Sequence, residues 1–508
     1  MKSRDEPGSA SAGATSRSLY QVCRPTALVE TGTPNSDGFA PRTLRDGESG
    51  LPCGRMAASL IRGVIVYLKK LRLQNIKCFE DVTLEFPHRD RDYSGWNVIL
   101  GGNGLGKSTI VRCIAESIIG YPYISIIDNN QWVARRAKGG SIGCVLVETQ
   151  FDDSGLQMPV PNRKILLIAP KQLNLDCSLD RRSGRGKPEN SPGWLACGYG
   201  PYRRLDDRAF PFPLPPMHAP FLTILNEWMG ISEPFSWIRQ IYAQSLDPKA
   251  ANRAALAKEF PILIAVINAL LPGPVRIKDV STVSIKFETL GGVETNALQL
   301  SDGYRSFLAL AVDLMMRVYQ ATDHFSRYVE LANEKAPPRI LAEGIVLIDE
   351  ADAHLHPSWQ RELGQRLCQV FPKIQFIVTT HSPFIAQEAT DGGLFVLKAG
   401  ESGAVTVEKP IESVRGWTAS QILTSPLFGL ESTRDPETEE KIRESGRLNA
   451  KEQAKTLTKV EKKQLAELRK WLEKRLSAPG ETYEEMLHRE EMNAYVEETL
   501  KRLKNGQS

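Results

Sequence analysis

The sequence predicts an α/β fold: a mixed sheet with a mostly parallel core, helices over it and an antiparallel lobe, followed by a charged helical region. Three observations carry this expectation. "GIVLIDEA" (Gly344 to Ala351) and "QFIVTTHSP" (Gln375 to Pro383) are short, continuous apolar runs, as expected of strands buried on both faces of a parallel sheet. "WNVIL" (Trp96 to Leu100) is a third such run, and a glycine-rich turn leads from it into "STIVRCIAESIIG", whose apolar spacing has the helical period. The alternation in "YLKKLRLQNIKCFEDVTLEF" from Tyr67 instead reads as two strands joined by a short turn, the start of an antiparallel lobe.

The remaining elements follow in chain order. "IGCVLVETQF" and "KILLIAP" predict a sheet hairpin, and "SLDRRSGRGKPENSPGW" a Gly/Ser/Pro loop inside an irregular basic insert at about 171–215. "FLTILNEWM" and "RAALAKEFPILIAVINALL" have helical patterns, and "VSIKFETLGGVETNALQL" reads as two strands across a Gly-Gly turn. "SFLALAVDLMMRVYQ" is a strongly apolar helix. From about Ile411 the chain turns helical and charged, with Leu457, Val460, Leu465, Leu468, Leu472 and Leu476 placed near one face. Residues 1–55, rich in Ser, Gly, Pro, Thr and Arg, are expected to be disordered, and structure-forming sequence begins at Met56, a candidate start codon. The expected organisation is therefore 1–55 as an extension, 56–410 as the α/β domain and 411–508 as the charged helical region.

Bulk composition excludes several classes. At 508 residues and 41% hydrophobic the chain can bury substantial cores, and a formal net charge of +4 gives no reason to expect a nucleic-acid coat protein. Any contact with DNA has to come from a local patch. Arg181, Arg182, Arg185 and Lys187 form one, which reads either as a phosphate contact or as a solvated flexible loop, since no aromatic residues interleave for base stacking. The eight cysteines are scattered without a C-x-x-C pair, which fits a reducing cytoplasm. No apolar run reaches the roughly 18–20 residues needed to cross a bilayer, so no membrane role is expected.

The chemistry sits in four short motifs. "GGNGLGKS" (Gly101 to Ser108) matches G-x-x-x-x-G-K-[ST] between a strand and a helix, the context that a phosphate loop requires. In such a loop the backbone N–H groups of Gly101, Gly102, Asn103, Gly104, Leu105 and Gly106 surround a β-phosphate, and Lys107 neutralises β- and γ-oxygens. The Ser108 hydroxyl can occupy a Mg²⁺ position beside Thr109. "IVLIDEAD" supplies acids at the end of a dry strand: Asp349 to hold the ion and Glu350 to orient and deprotonate water. His381 follows the next buried strand, and in parallel α/β sheets ligands bind at the strands' carboxyl ends, so Gly101, Asp349 and His381 are expected on one edge. "LSDGY" duplicates none of these. Ser301 offers a hydroxyl, Gly303 beside Asp302 gives free backbone approach, and the following helix offers its positive N-terminal end to an anion. A second such turn makes sense as a γ-phosphate binder supplied by another copy of the chain.

Together "GGNGLGKS", "LSDGY", "VLIDEADAHLHP" and "TTHSP" resemble the ABC-type ATPases of the SMC and RecF class, and within it the compact bacterial ATPases that include OLD-like, Septu and retron-associated defence ATPases. The resemblance covers about Tyr67 to Lys398. It implies a P-loop NTPase fold of the ABC/SMC-head type, with ATP and Mg²⁺ as cofactors. By the same resemblance Gly101 to Ser108 are the Walker A loop, Asp349 the Walker B acid, Glu350 the catalytic base and His381 the switch histidine. Ser301 to Tyr304 would be the signature and Asp352 to Leu355 the D-loop, and two protomers would sandwich two ATP molecules. Asp302 and Tyr304 depart from the commoner glycine and glutamine. The Q-loop residue is open between Gln150 and the segment "CGYGPYRR" (Cys197 to Arg204), which also reads as a plain Gly-Pro turn. His354 and His356 have an H-x-H spacing but lack further zinc ligands nearby.

Two functions from different classes remain in view. One is a homodimeric, nucleotide-gated ATP hydrolase that controls a separately encoded effector, such as a nuclease, or a nucleic-acid transaction in phage defence or DNA repair. The other is an ATP-bound scaffold that sequesters such an effector with slow hydrolysis. A nuclease in its own right is disfavoured, because residues 411–508 lack the acidic cluster that two-metal cleavage requires.

Overall fold

The computed structural model describes residues 65–119, 143–151, 163–168, 194–206, 219–331 and 337–476, save for 91, 204, 227–228, 233, 323, 401–402 and 411–412. The expected extension 1–55 and the basic residues Arg181 to Lys187 lie outside the described residues, as does the side chain of Gln150.

Strands β1 (Ile65–Ile76) and β2 (Phe79–Glu85) form the first hairpin, followed by β3 (Gly95–Gly101) and helix α1 (Lys107–Ile119). β4 (Gly143–Phe151), β5 (Arg163–Ile168) and β6 (Trp194–Tyr199) come next. Helices α2 (Pro234–Leu246) and α3 (Arg253–Leu270) lead to the small strands β7 (Arg276–Val280), β8 (Ile285–Glu288) and β9 (Glu294–Thr295). Then follow α4 (Asp302–Ala321), β10 (Glu343–Ile348), α5 (Leu363–Val370), β11 (Ile374–Thr380), α6 (Pro383–Gln387), β12 (Leu394–Ala399) and β13 (Val405–Glu408). Helices α7 (Ala419–Thr424), α8 (Pro436–Gln453) and α9 (Lys459–Glu473) close the described chain.

The main sheet has the order β13-β12-β3-β11-β10-β6, parallel throughout except for the edge strand β13. A four-stranded antiparallel lobe, β2-β1-β4-β5, pairs Leu71 with Leu84 on one side and with Val147 on the other. The sheet is buried on both faces because its central strands carry apolar residues on both sides of the pleat, which sends alternate side chains to opposite cores. Val98, Leu100, Val346, Ile348, Phe376 and Val378 join one core with Leu308, Val312 and Met315 of α4 and Leu263 and Ile267 of α3. Ile99, Ile345, Leu347 and Ile377 face the other, with Ile110, Val111 and Ile114 of α1 and Leu71, Leu73 and Phe79 of the lobe. Burying each such side chain contributes roughly 1.5–3 kcal/mol. Every central strand is therefore clamped from both sides, which fixes where its carboxyl end lies.

The chain beyond β13 returns to this core, with Val414 and Ile422 buried in the α3–α4 cluster. α8 and α9 then pack as a pair through Leu448, Leu465 and Leu472, joined by Lys451 Nζ–Glu461 Oε1 at 2.5 Å. The apolar face expected along α9 is narrower than its leucine spacing suggests. Val460 is 78% exposed, because five residues of helix place it about 140° around the axis from Leu465.

One carboxyl in α1 is buried without a full set of partners. Glu116 is 4% exposed, and its Oε1 has no hydrogen-bond partner among the described residues. Burial pushes its carboxyl up to about 8, against the pull of Arg112 and Lys77. The unfolded chain ionises this group near its ordinary value while the folded chain keeps it protonated. Stability is therefore highest below that ordinary value, falls as pH rises, and levels off above about 8. Glu116→Gln should remove this slope and stabilise the fold at pH 8 by on the order of 2–4 kcal/mol, with little change at pH 4.5. Melting temperatures of both proteins across that range check it, and parallel curves would refute it.

Candidate nucleotide site

The site begins where β3 ends. Gly104 (φ +78) and Gly106 (φ +90) turn the chain from Gly101 into α1. A side chain at Gly106 would place its Cβ 2.6 Å from the Phe79 ring and 2.7 Å from Cys78 Sγ, so glycine alone lets the loop pass over the β1–β2 turn. Gly102, Asn103 and Gly104 are exposed, Leu105 and Ser108 half-buried, and Thr109 buried. Lys107 is buried, and its Nζ donates to the carbonyls of Gly101 at 2.9 Å and Gly102 at 3.1 Å.

The same ammonium lies 2.7 Å from His381 Nε2, at the end of β11. Burial and then the Lys107 charge lower the imidazole's pKa, so the ring is neutral and accepts from Lys107 through Nε2, leaving its proton on Nδ1. Burial also lowers the Lys107 pKa, while Asp349, Glu350 and Asp352 oppose that shift.

The three acids follow β10. Asp349 is 3% exposed, and its Oδ1 accepts from the Thr379 hydroxyl of β11. That hydroxyl oxygen also accepts the Glu350 N–H at 2.8 Å, and the Thr379 carbonyl accepts the Ala351 N–H at 2.8 Å. Asp349 N–H donates to the Tyr199 carbonyl of β6 at 2.7 Å. Glu350 sits at φ +46, a left-handed conformation that costs a non-glycine residue about 1 kcal/mol or more and persists only when its surroundings impose it. Burial, then Asp349 and Asp352, raise its carboxyl above the ordinary value, while Lys107 and Arg203 pull it down. Asp352 Oδ1 accepts from the Thr380 hydroxyl and, at 3.2 Å, from the His381 N–H. The loop after β10 is thus bonded to the loop after β11.

Gly101 to Thr109, Asp349, Glu350, Asp352 and His381 therefore meet at one edge of the sheet. The turn containing Ser301, Asp302 and Gly303 packs elsewhere on the same loop. A Cβ on Gly303 would lie 2.5 Å from the His354 carbonyl, and the Tyr304 ring stands 4.2 Å, centroid to centroid, from Trp359. Ser301 and Asp302 are exposed, and the Ser301 hydroxyl is not spent on capping α4. His356 Nδ1 instead accepts the Ser358 N–H at 3.2 Å, as a helix cap. Among the described residues no group of three or more His, Cys, Asp or Glu could hold a metal ion by itself.

Sequence reasoning missed Arg203, Thr379, Thr380 and Tyr199. Arg203 belongs to the segment "CGYGPYRR", which reads equally as an approach to the site or as a plain Gly-Pro turn, and nothing in the spacing gives Arg203 a role. It is 3% exposed, and its two terminal nitrogens donate to four backbone carbonyls: Gly200, Asp349, Glu350 and Ala353. The two threonines read as strand-formers, and only the parallel register that sets Ile348 beside Val378 brings their hydroxyls to the acids.

Residues 208–386 match a family model described as "AAA domain, putative AbiEii toxin, Type IV TA system", and residues 70–153 match a second AAA domain model. The chain is 28% identical over 372 residues to "Septu protein PtuA" of Bacillus mycoides (strain KBAB4), covering 72% of this chain and 45% of that protein. This chain is similar to AAA-domain proteins of this kind. It is also 38% identical over 145 residues to "Retron Ec83 probable ATPase" of Escherichia coli, 28% of this chain and 23% of that one. The chain spans less than half the length of these curated relatives. An SMC head domain from Thermotoga maritima is 17% identical, covering 68% of this chain and 99% of that one, with a TM-score of 0.32.

The threonine bridge is separable from the charges it orders. Thr379→Val keeps the shape of the side chain but leaves the Asp349 carboxylate and the Glu350 N–H without their shared partner. It should cost about 1–3 kcal/mol in chemical denaturation, whereas Thr379→Ser should retain most of the stability. Equal stability of the valine and serine variants would show that the bridge is not what orders the turn.

Proposed function

We propose that the chain binds ATP with Mg²⁺ and hydrolyses it, and that it does so as a homodimer with two ATP molecules between the protomers. The observation that carries this reading is the convergence of Lys107, Asp349, Glu350 and His381 at the carboxyl ends of β3, β10 and β11, around a glycine-rich loop that opens a helix. The backbone of Gly101 to Thr109 would hold the phosphates, and Lys107 can exchange the carbonyls of Gly101 and Gly102 for phosphate oxygens. Ser108 and Asp349 supply hard oxygens, which suit an ion that takes one or two protein ligands and fills its other positions with phosphate and water. Mg²⁺, when bound, neutralises charge on the β- and γ-phosphates.

Glu350 would accept the proton of the attacking water, and its raised pKa makes it a better acceptor near neutrality than an ordinary carboxylate. His381, held neutral, can hydrogen-bond the γ-phosphate without adding a competing charge. Asp352 would orient that histidine through its backbone. Ser301, Asp302 and Gly303 would reach the γ-phosphate in the partner protomer, which agrees with an exposed Ser301 hydroxyl free of capping duty. The proposed output is anti-phage defence or DNA repair through a separately encoded effector, with a nuclease the expected class, and the similarity to a Septu protein and a retron ATPase supports the defence reading.

Glu350→Gln preserves the turn and removes the base. With Mg²⁺ and ATP it should hydrolyse at least 100-fold more slowly than the wild type and elute as a dimer in size-exclusion chromatography with light scattering. Turnover near wild type would remove Glu350 from its role, and a strictly monomeric ATP complex would remove the sandwich.

A further inference from the structure

Arg203 is the most fully committed buried cation in the described chain. Nη1 donates to the Asp349 carbonyl at 3.0 Å and the Gly200 carbonyl at 3.4 Å, and Nη2 to the Glu350 carbonyl at 3.0 Å and the Ala353 carbonyl at 3.3 Å. Three of those carbonyls belong to the turn that carries the acids, and the fourth anchors the guanidinium to the loop after β6. A guanidinium suits this task because its planar fork presents several donors at fixed angles, which an ammonium cannot do. Its donors point at backbone, so it holds the turn's path and leaves the acid side chains available for chemistry.

Two further features show what is being held. Glu350 stands at φ +46, a conformation that its own side chain disfavours, and the carbonyl and N–H on either side of it are both tied down, to Arg203 and Thr379. Gly200, which supplies the anchor, could not be replaced: a Cβ there would lie 2.0 Å from the Thr223 carbonyl. The loop after β6 is thus wedged against its neighbour and gives the guanidinium a rigid base. A buried arginine otherwise needs a carboxylate to offset its desolvation, and here four carbonyl dipoles and the nearby acids do so.

We propose that Arg203 is a positioning residue for hydrolysis, fixing the Asp349–Ala353 turn so that Glu350 is presented in its left-handed conformation. This rests on the ATPase reading above. Arg203 touches neither nucleotide nor water in this scheme, so its loss should be felt in the chemical step and not in ATP binding. A role in nucleotide binding would show the opposite split, and a purely structural role would show in the melting temperature alone.

The experiment compares full-length wild type, Arg203→Lys and Arg203→Ala. Steady-state hydrolysis is measured against Mg²⁺–ATP concentration, nucleotide affinity with a fluorescent non-hydrolysable ATP analogue, and folding by circular dichroism. The lysine variant keeps a positive charge but loses the fork, so its kcat should fall at least tenfold while affinity for the analogue stays within threefold. Guanidinium ion at tens of millimolar should restore part of the kcat of the alanine variant and none in Glu350→Gln. A lysine variant with kcat within threefold of wild type overturns the proposal, as does a tenfold loss of affinity with kcat retained. Failure of both variants to fold also overturns it, since the arginine would then serve the fold as a whole. A wild-type chain that binds the analogue but turns over no ATP defeats the ATPase reading itself, and the proposal falls with it.

Discussion

Charge gathered at the edge of a dry sheet has to be answered from within the protein, and the site is organised around that requirement. Asp349 is 3% exposed, and Glu350 and Asp352 stand within its field, so leaving the three unpartnered would be costly. Lys107 and Arg203 approach the group, and the hydroxyls of Thr379 and Thr380 take the remaining carboxylate hydrogen bonds to Asp349 and Asp352. None of these partners could be in place without the alignment of β3, β11 and β10. Their parallel pairing, Val378 opposite both Val98 and Ile348, sets Gly101 level with His381 and Asp349 level with Thr379, two residues before it, so all three lie at one end of the sheet. The apolar packing on both faces of the sheet is therefore part of the chemistry, because it fixes the register on which the charges depend.

The loop after β10 is where two tasks meet. Its first residues, Asp349 to Asp352, face the phosphate loop and His381. Its continuation at His354 and Trp359 receives the turn of Gly303 and Tyr304. Close backbone approach at Gly303 leaves no slack, since any side chain there would strike the His354 carbonyl. A displacement of the helix α4 tip would consequently bear on the same short loop that holds the acids. In a sandwich dimer this would make the chain's own acids responsive to whatever its signature turn touches in the other protomer.

Much of this architecture was legible in the residues. The apolar runs at Trp96, Ile345 and Gln375 have a composition that only a doubly covered parallel strand tolerates, so the convergence of Gly101, Asp349 and His381 followed from topology before any coordinates. What could not be read was the partner set. Thr379 and Thr380 look like any β-branched residues in a strand, and their role depends on a register that no local pattern encodes. Arg203 is one of two adjacent arginines after a Gly-Pro turn, and nothing in the sequence singles it out. The seam of α9 was overestimated at Val460, because leucine spacing records candidates for burial while the angle to the neighbouring helix decides among them.

The two cations at the site differ in what their bonds permit. Lys107 donates to two loop carbonyls and a histidine from the end of a flexible stem, bonds that phosphate oxygens can replace at small geometric cost. Arg203 donates to four carbonyls from a rigid plane, anchored by a glycine that admits no side chain, and none of those bonds can be traded without moving the main chain. One positive charge is placed to exchange partners and the other to prevent movement. On the proposed reading, a site that binds and releases a triphosphate while keeping a strained glutamate in place needs both, and the division between a lysine and an arginine follows from the shapes of their charged groups.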